Sequence, residues 1–392
     1  MIPLSAYFLL GSLAPVAHSY VGYPLWWTIF GNYFSRKAFS NPDFQDLPSV
    51  TIIVAAYNED TCIANRIRNL LALDYPHEKL QIFIESDGSD DSTVTEARKA
   101  AQGDQRVHIS DHKERRGKVS VLNDACRRAG TEILAFSDAN VDFAPDALLR
   151  LISPFFSSEV ACVCGKLRFR VPEGSAHAAS EGIYWKLESW LKEQEGSRGV
   201  LLGANGAIYA LRRSLWKPCP PDTVVEDFYI PMTLLMNGHE VVFEPTALAY
   251  EDLPPTLKDE FGRRIRIGAG DFQALVRCLP LLHPRHGLAA WAFFSRKVLR
   301  WLGPFFLLFS FLSTLVLVSS PNGYSLGYLS LFCWALFISM AFVGTFATTR
   351  HGFMGKIFGA SAHFASMNLA LLFGFFRWLS RSQRVTWKRT AR

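Results

Sequence analysis

Two long runs of this chain contain no Asp, Glu, Lys or Arg: Met1 to Ser35, and the whole stretch between Arg300 and Arg350. A membrane span needs about 20 consecutive apolar residues. The first run holds one, roughly Ser5 to Phe30. The second holds two, because Ser319-Ser320-Pro321-Asn322-Gly323 reads as a turn in its middle. A further candidate, Ile357 to Phe376, is uncharged except for His363. A cleaved signal peptide does not fit the first run, which lacks a basic start and is too long. A buried hairpin in a soluble core does not fit a charge-free run as long as the second.

The net charge of +6 is not gathered on a groove-sized basic face with interleaved aromatics, so nucleic acid is not an expected partner. Many of the cations flank the apolar runs instead. Arg36 and Lys37 follow the first, Arg296, Lys297 and Arg300 precede the second, and Arg350 and Lys356 follow the third. This positive-inside pattern places residues 36–300 in the cytoplasm of a cell whose plasma (inner) membrane holds the spans. The tail is in tension with it. Full crossing by 357–376 is the expectation, since about 20 residues at 1.5 Å rise match the hydrocarbon thickness, yet it puts Arg381, Arg384, Lys388, Arg389 and Arg392 outside, against their charge preference. The seven cysteines show no metal-site spacing and fit a reducing compartment.

Between the runs, residue types alternate. Strands are expected at Val50–Ala55, Leu80–Glu85, Val107–Ser110 and Ile133–Ser137, with helices at Thr61–Leu73, Ser92–Ala101 and Lys118–Ala129. Apolar strands separated by helices imply an α/β, mostly parallel sheet covered on both faces. Such sheets bind ligands at the carboxyl ends of their strands. Polar clusters stand at those exits: Tyr57-Asn58-Glu59-Asp60, then Ser86-Asp87-Gly88-Ser89-Asp90-Asp91, then Asp138-Ala139-Asn140 with Asp142 close behind. Each alone reads as a turn or helix cap. With no Walker loop and no G-x-G-x-x-G, any phosphate must be held by side chains and a cation, and Lys113, Arg115, Arg116 and Lys118 supply charge before a helix.

In this order the motifs resemble the membrane-bound family-2 glycosyltransferases of the cellulose, hyaluronan and chitooligosaccharide synthase group. They are Ala55-Ala56-Tyr57-Asn58-Glu59, Asp87-Gly88-Ser89, Gly117-Lys118, Asp138-Ala139-Asn140, Gly203-Ala204-Asn205-Gly206, Glu226-Asp227 and Arg263-Arg264-Ile265-Arg266-Ile267. The resemblance implies a Rossmann-like GT-A fold, a UDP-sugar donor, and Mg2+ or Mn2+ as cofactor. Tyr57 and Asp87 then correspond to uracil contacts. Glu59, Lys118, Asp138 and Arg266 join them on the donor side, Asp138 and Asn140 hold the metal, and Asp227 is the general base. Asn205, Glu226, Arg263 and Ile267 lie toward the acceptor. Two positions depart from the family pattern. Asn140 replaces a carboxylate of the D-x-D motif, leaving Asp142 as a substitute ligand. Ile267 replaces the tryptophan on which the acceptor sugar stacks, leaving Tyr184, Trp185 and Trp190 as other platforms.

The implied organisation is a membrane helix over residues 1–35, a cytoplasmic GT-A domain over 36–253 and interfacial amphipathic helices over 254–300. Membrane helices over 301–378 and a basic tail over 379–392 follow. The implied activity is inverting, metal-dependent transfer from a UDP-sugar to a poly- or oligosaccharide, as in exopolysaccharide synthases. Non-processive glycosylation of a membrane lipid is the alternative. An inactive scaffold subunit of a secretion complex would not need Asp87, Lys118, Asp138, Asp227 and Arg266 together.

Overall fold

The computed structural model describes residues 3–34, 46–170, 177–252, 257–320, 325–346 and 352–383. The chain enters through α1 (Leu4–Ala17), a π-helical turn and α2 (Tyr23–Phe30). The alternating region then folds as β1 (Val50–Ala56), α3 (Ile63–Leu71), β2 (Leu80–Asp87), α4 (Thr93–Ala101), β3 (Val107–His112), α5 (Lys118–Arg128), β4 (Ile133–Asp138) and the short β5 (Val141–Phe143). It is completed by α6 (Ala147–Ile152), β6 (Val160–Arg170), α7 (His177–Gly196), β7 (Tyr209–Arg212), α8 (Glu226–Met236) and β8 (Glu240–Asp252). The C-terminal part is helical: α9 (Leu257–Arg277), α10 (Leu288–Ala292), α11 (Leu299–Trp301), α12 (Gly303–Ser319), α13 (Ser325–Phe346) and α14 (Gly352–Leu379).

The eight strands form one sheet in the order β3-β2-β1-β4-β7-β6-β8-β5. The first four are parallel, so their carboxyl ends share one edge. All seven residues of β1 are buried, as expected for a β-branched strand covered on both faces. Helix α3 buries Ile63, Arg66, Ile67 and Leu70 at helical spacing. The other half is mixed: β7 runs antiparallel to both β4 and β6. Strands β2 and β4 are longer than expected, and Asp87 and Asp138 are their last residues. Pairing carries them, since Asp87 is in register with His112 of β3 and Asp138 with Ala55 of β1.

Three helical runs, Leu4–Phe34, Ser325–Phe346 and Phe353–Leu379, are long and apolar enough to cross a membrane. Gly303–Ser319 joins Leu288–Trp301 at a 57° bend and counts as a fourth if the bent pair is one span. The turn expected at residues 319–323 lies largely outside the described residues, as do Arg384, Lys388, Arg389 and Arg392.

The membrane and sheet regions share a core. Tyr23 and Trp27 of α2 are buried in the same cluster as Leu134, Phe228 and Trp301. The Tyr23 hydroxyl donates to Glu195 Oε1 at 2.7 Å. Buried Arg296 pairs with both Glu188 and Glu195 of α7. Helix α9 has two working faces. One carries residues of the cleft described below. The other packs on the C-terminal half of α14, where a Cβ on Gly374 would lie 2.7 Å from the Ala269 nitrogen. Phe272 meets Phe375 edge-on at 5.1 Å and stacks on Trp378 at 6.2 Å.

Candidate active site

Parallel pairing delivers the ends of β1 and β4 to the same edge, and a cleft of about 400 Å3 opens there. Glu59 reaches it from the exit of β1, and Asp138 and Asn140 from the exit of β4. Lys118 comes from the first turn of α5, and Asn205 from the loop before β7. Glu226 and Asp227 open α8, and Arg263, Arg266 and Ile267 close the cleft from α9. Of the site residues that the resemblance assigns, Tyr57 and Asp87 are not in its lining, and neither are Lys113, Arg115 and Arg116 of the basic loop.

Lys118 organises the acids. Its Nζ lies 2.9 Å from Asp138 Oδ1 and 2.7 Å from Glu226 Oε1. Burial alone would lower its pKa, but the Asp138, Glu226 and Asp227 carboxylates outweigh burial and hold the ammonium charged well above its ordinary range. Asp227 accepts from the Gly206 N–H at 2.9 Å and from its neighbour Phe228 N–H at 3.0 Å. Its carboxyl is nonetheless raised above the usual range, by burial first and then by Glu226, with Asp138 adding and Lys118 opposing. A carboxylate made more basic in this way, fixed by two backbone donors, suits proton abstraction.

Asp87 is buried, and its two oxygens accept from the Arg116 N–H at 2.7 Å and the Gly117 N–H at 2.9 Å. It therefore secures the loop that starts α5 and presents Lys118. Gly88 beside it has φ +68, and a Cβ there would come within 2.8 Å of the Arg115 nitrogen. Both features demand glycine. The Tyr57 ring is covered by the Arg115 guanidinium, 3.5 Å from its centre. The basic loop is thus folded onto the expected base-stacking surface.

On the β4 side, the Asn140 side-chain nitrogen donates to Glu251 Oε1 at 2.6 Å, so its carbonyl is the end that could meet a cation. Asp142 is not in the cleft lining; its Oδ2 is paired with Arg170 at 2.7 Å. Beneath them Arg66 is fully buried, donating to Ser137 Oγ at 2.8 Å and Asn69 Oδ1 at 2.6 Å. Burial lowers its pKa to about 9, and the Asp142 and Asp138 charges oppose that loss. Trp190, one of the alternative platforms, packs against the core, while the Tyr184 and Trp185 side chains lie outside the described residues.

Four charged cleft residues escaped sequence reasoning: Glu251, Asp252, Asp271 and Lys297. Glu251 and Asp252 end the 13-residue β8, where acids after an apolar strand were the available signal. Asp271 lies on α9, and its carboxyl is pushed up to about 7 by burial, with Lys297 lowering it and Asp227 raising it.

The family described as Glycosyl transferase family 2 matches residues 51–216. The one described as Glycosyl transferase family group 2 matches residues 137–349, more than half of the chain. The chain belongs to the family-2 glycosyltransferases. Among its relatives is the poly-beta-1,6-N-acetyl-D-glucosamine synthase of Staphylococcus aureus (strain COL), 26% identical over 258 residues, 62% of this chain and 61% of that one. The synthase of the same name from Staphylococcus epidermidis (strain RP62A) is 24% identical over 248 residues, 62% and 60% of the two chains. The chain thus spans about three fifths of the length of the curated relatives it matches. A solved structure, the mannosyltransferase PcManGT from Pyrobaculum calidifontis in complex with GDP-Man and Mn2+, superposes with a TM-score of 0.71 at 21% identity. That match covers 95% of this chain and 99% of that one. The sheet and its helices are therefore the GT-A fold of a glycosyltransferase, joined to apolar helices long enough to cross a membrane.

Proposed function

We propose that this glycosyltransferase moves a sugar from a UDP-sugar to a saccharide acceptor at the cytoplasmic face of the plasma membrane, with inversion, as an exopolysaccharide-type synthase. The observation that carries the reading is the constellation of Lys118 between Asp138 and Glu226, with Asp227 beside them in one cleft. Asp227 takes the proton from the acceptor hydroxyl as its oxygen attacks the anomeric carbon. The bond from that carbon to the diphosphate breaks, and UDP leaves with the electron pair. Inversion needs one base and no second carboxyl acid, because cations take up the charge of the leaving group. Lys118 and Arg266 are those cations. Arg266 is kept in place by α9, with its Nη1 3.5 Å from the Val224 carbonyl.

Asp138 brings one carboxylate to the cleft. Among the described residues no group of three or more His, Cys, Asp and Glu is arranged to hold a metal ion. That sparse donor set fits a hard, oxygen-seeking cation that would leave room for the substrate. Asp138, with the Asn140 carbonyl, would hold Mg2+ or Mn2+ there, and the ion would supply Lewis-acid charge to the leaving UDP. Asp87 and Tyr57 act at the nucleotide end, Asp87 through the loop it secures and Tyr57 together with Arg115.

The staphylococcal relatives, by their names, make a β-1,6-linked N-acetylglucosamine polymer, so UDP-N-acetylglucosamine is the first donor to test. The test is nucleotide release by the full chain in nanodiscs with a panel of UDP-sugars and GDP-mannose, and mass spectrometry of the products. Release from a UDP-sugar with a lengthened saccharide supports the proposal. Turnover of GDP-mannose alone, or product only on a polyprenyl phosphate, overturns it.

A further inference from the structure

Ile267 lines the cleft but offers no π-face to a sugar. One helical turn further along α9 stands Asp271, and Lys297 joins it in the lining from a different helical segment. Lys297 belongs to a π-helical segment, Phe293–Val298, and its ammonium sits 5.3 Å from the centre of the Phe228 ring. π-helical turns are rare and concentrate at functional sites. The two charges feel each other electrostatically, yet among the described residues neither head group closes an ion pair or hydrogen bond. Opposite charges that face one cleft without touching leave room for a group that bonds to both.

A carboxylate only accepts and an ammonium only donates. Neighbouring sugar oxygens satisfy both, one hydroxyl donating and the next oxygen accepting. An anionic acceptor such as a lipid phosphate would gain from Lys297 but would meet Asp271, Asp227 and Glu226 in the same lining. A neutral sugar is therefore the better match.

We infer that Asp271 and Lys297 form the acceptor subsite, where Asp271 accepts from a hydroxyl of the acceptor sugar and Lys297 donates to a neighbouring oxygen. The pair substitutes hydrogen bonds for the aromatic platform that Ile267 lacks. This assignment rests on the glycosyltransferase reading of the cleft proposed above.

The test uses the full chain in nanodiscs, saturating UDP-N-acetylglucosamine and an N-acetylglucosamine oligosaccharide as acceptor. Asp271→Asn and Lys297→Met should each raise the acceptor KM about tenfold or more, the loss typical of a charge-assisted hydrogen bond, with a much smaller fall in kcat. Their affinity for UDP reports that the cleft is still folded. Asp271→Glu and Lys297→Arg keep the charges and should recover part of the lost affinity. Acceptor KM values unchanged in both truncations overturn the assignment, as does a loss confined to kcat. Transfer to polyprenyl phosphate that depends on the pair, with saccharide transfer indifferent to it, overturns it in favour of a lipid. If the unmodified protein releases no UDP from any UDP-sugar, the donor reading fails and the subsite falls with it.

Discussion

Lys118 Nζ lies 2.7 Å from Glu226 Oε1 and bridges the carboxyl edge of the sheet to the first turn of α8. Without it, Glu226, Asp138 and Asp227 would face one another uncompensated. Lys118→Met should therefore cost affinity for UDP and stability together. Removing one partner of a fully buried pair typically costs about 3–5 kcal/mol, because the remaining charge is stranded, and the partial exposure of Lys118 and Asp138 lowers the cost here. Calorimetry with UDP and a thermal melt should both register the change; a variant that loses neither would show that Lys118 is not the organising cation.

Asp227→Asn should keep the fold, since an amide oxygen can still accept from the Gly206 N–H. Turnover should fall by about 10²–10⁴-fold, the usual contribution of a general base. In the unmodified enzyme, activity should decline as acid protonates Asp227. The raised pKa moves that decline to a higher pH than an ordinary aspartate would give. Stopped-assay rates across pH, compared with UDP affinity at each pH, separate the base from donor binding.

Chelation by EDTA should abolish transfer, and Mg2+ or Mn2+ should restore it. Asp138→Ala should weaken the metal-dependent part of UDP binding. Asn140→Asp should retain activity at saturating metal, where the bound cation offsets the carboxylate repulsion that replaces the hydrogen bond to Glu251. Asp142→Ala should leave metal dependence in place, since Asp142 is engaged by Arg170; loss of metal dependence in that variant would move the ligand set.

The parallel half of the sheet was legible because β1, β2 and β4 are apolar runs, and polar clusters at the ends of β1 and β4 marked the edge where the cleft opens. What those clusters touch was not legible. Asp87 spends its oxygens on backbone N–H groups 29 and 30 residues away, and such pairing leaves no local periodicity. Arg66 reads as a solvent-facing charge on a short helix, yet it is buried beneath the acids. Asp271 and Lys297 were hidden for another reason. An amphipathic helix beside a membrane and a cation flanking a span both have ordinary explanations, and only packing shows that these faces turn toward the cleft.

Asp271 also links stability to pH. Its folded-state pKa of about 7 stands above the unfolded aspartate value near 3.9. The folded protein therefore binds the extra proton between those values, and stability falls as pH rises through about 7. Asp271→Asn removes this dependence. Its thermal midpoint, relative to the unmodified protein, should improve more at pH 8 than at pH 5. An equal offset at both would mean that Asp271 does not titrate there.

The packing of α14 on α9 bears on the tail. Phe375 and Trp378 sit against Phe272, on a helix whose other face lines the cleft. The end of α14 should thus emerge on the side of the catalytic domain, as its basic residues prefer. A cysteine at Ser382 should react with an impermeant reagent only from the cytoplasmic side, and one at Ser320 only from the other. Labelling of both from outside would mean that α14 crosses completely.

The shared core around Tyr23, Trp27, Glu195 and Arg296 sets where this chain can be cut. A soluble fragment beginning near residue 36 would look natural from hydropathy alone. It would also discard the hydroxyl that Glu195 accepts from and the indole that closes one wall of the interior. The catalytic unit is therefore not a cargo hung from an anchor: α2 is one of its own walls, and any preparation that trims the N-terminal helices trims the enzyme.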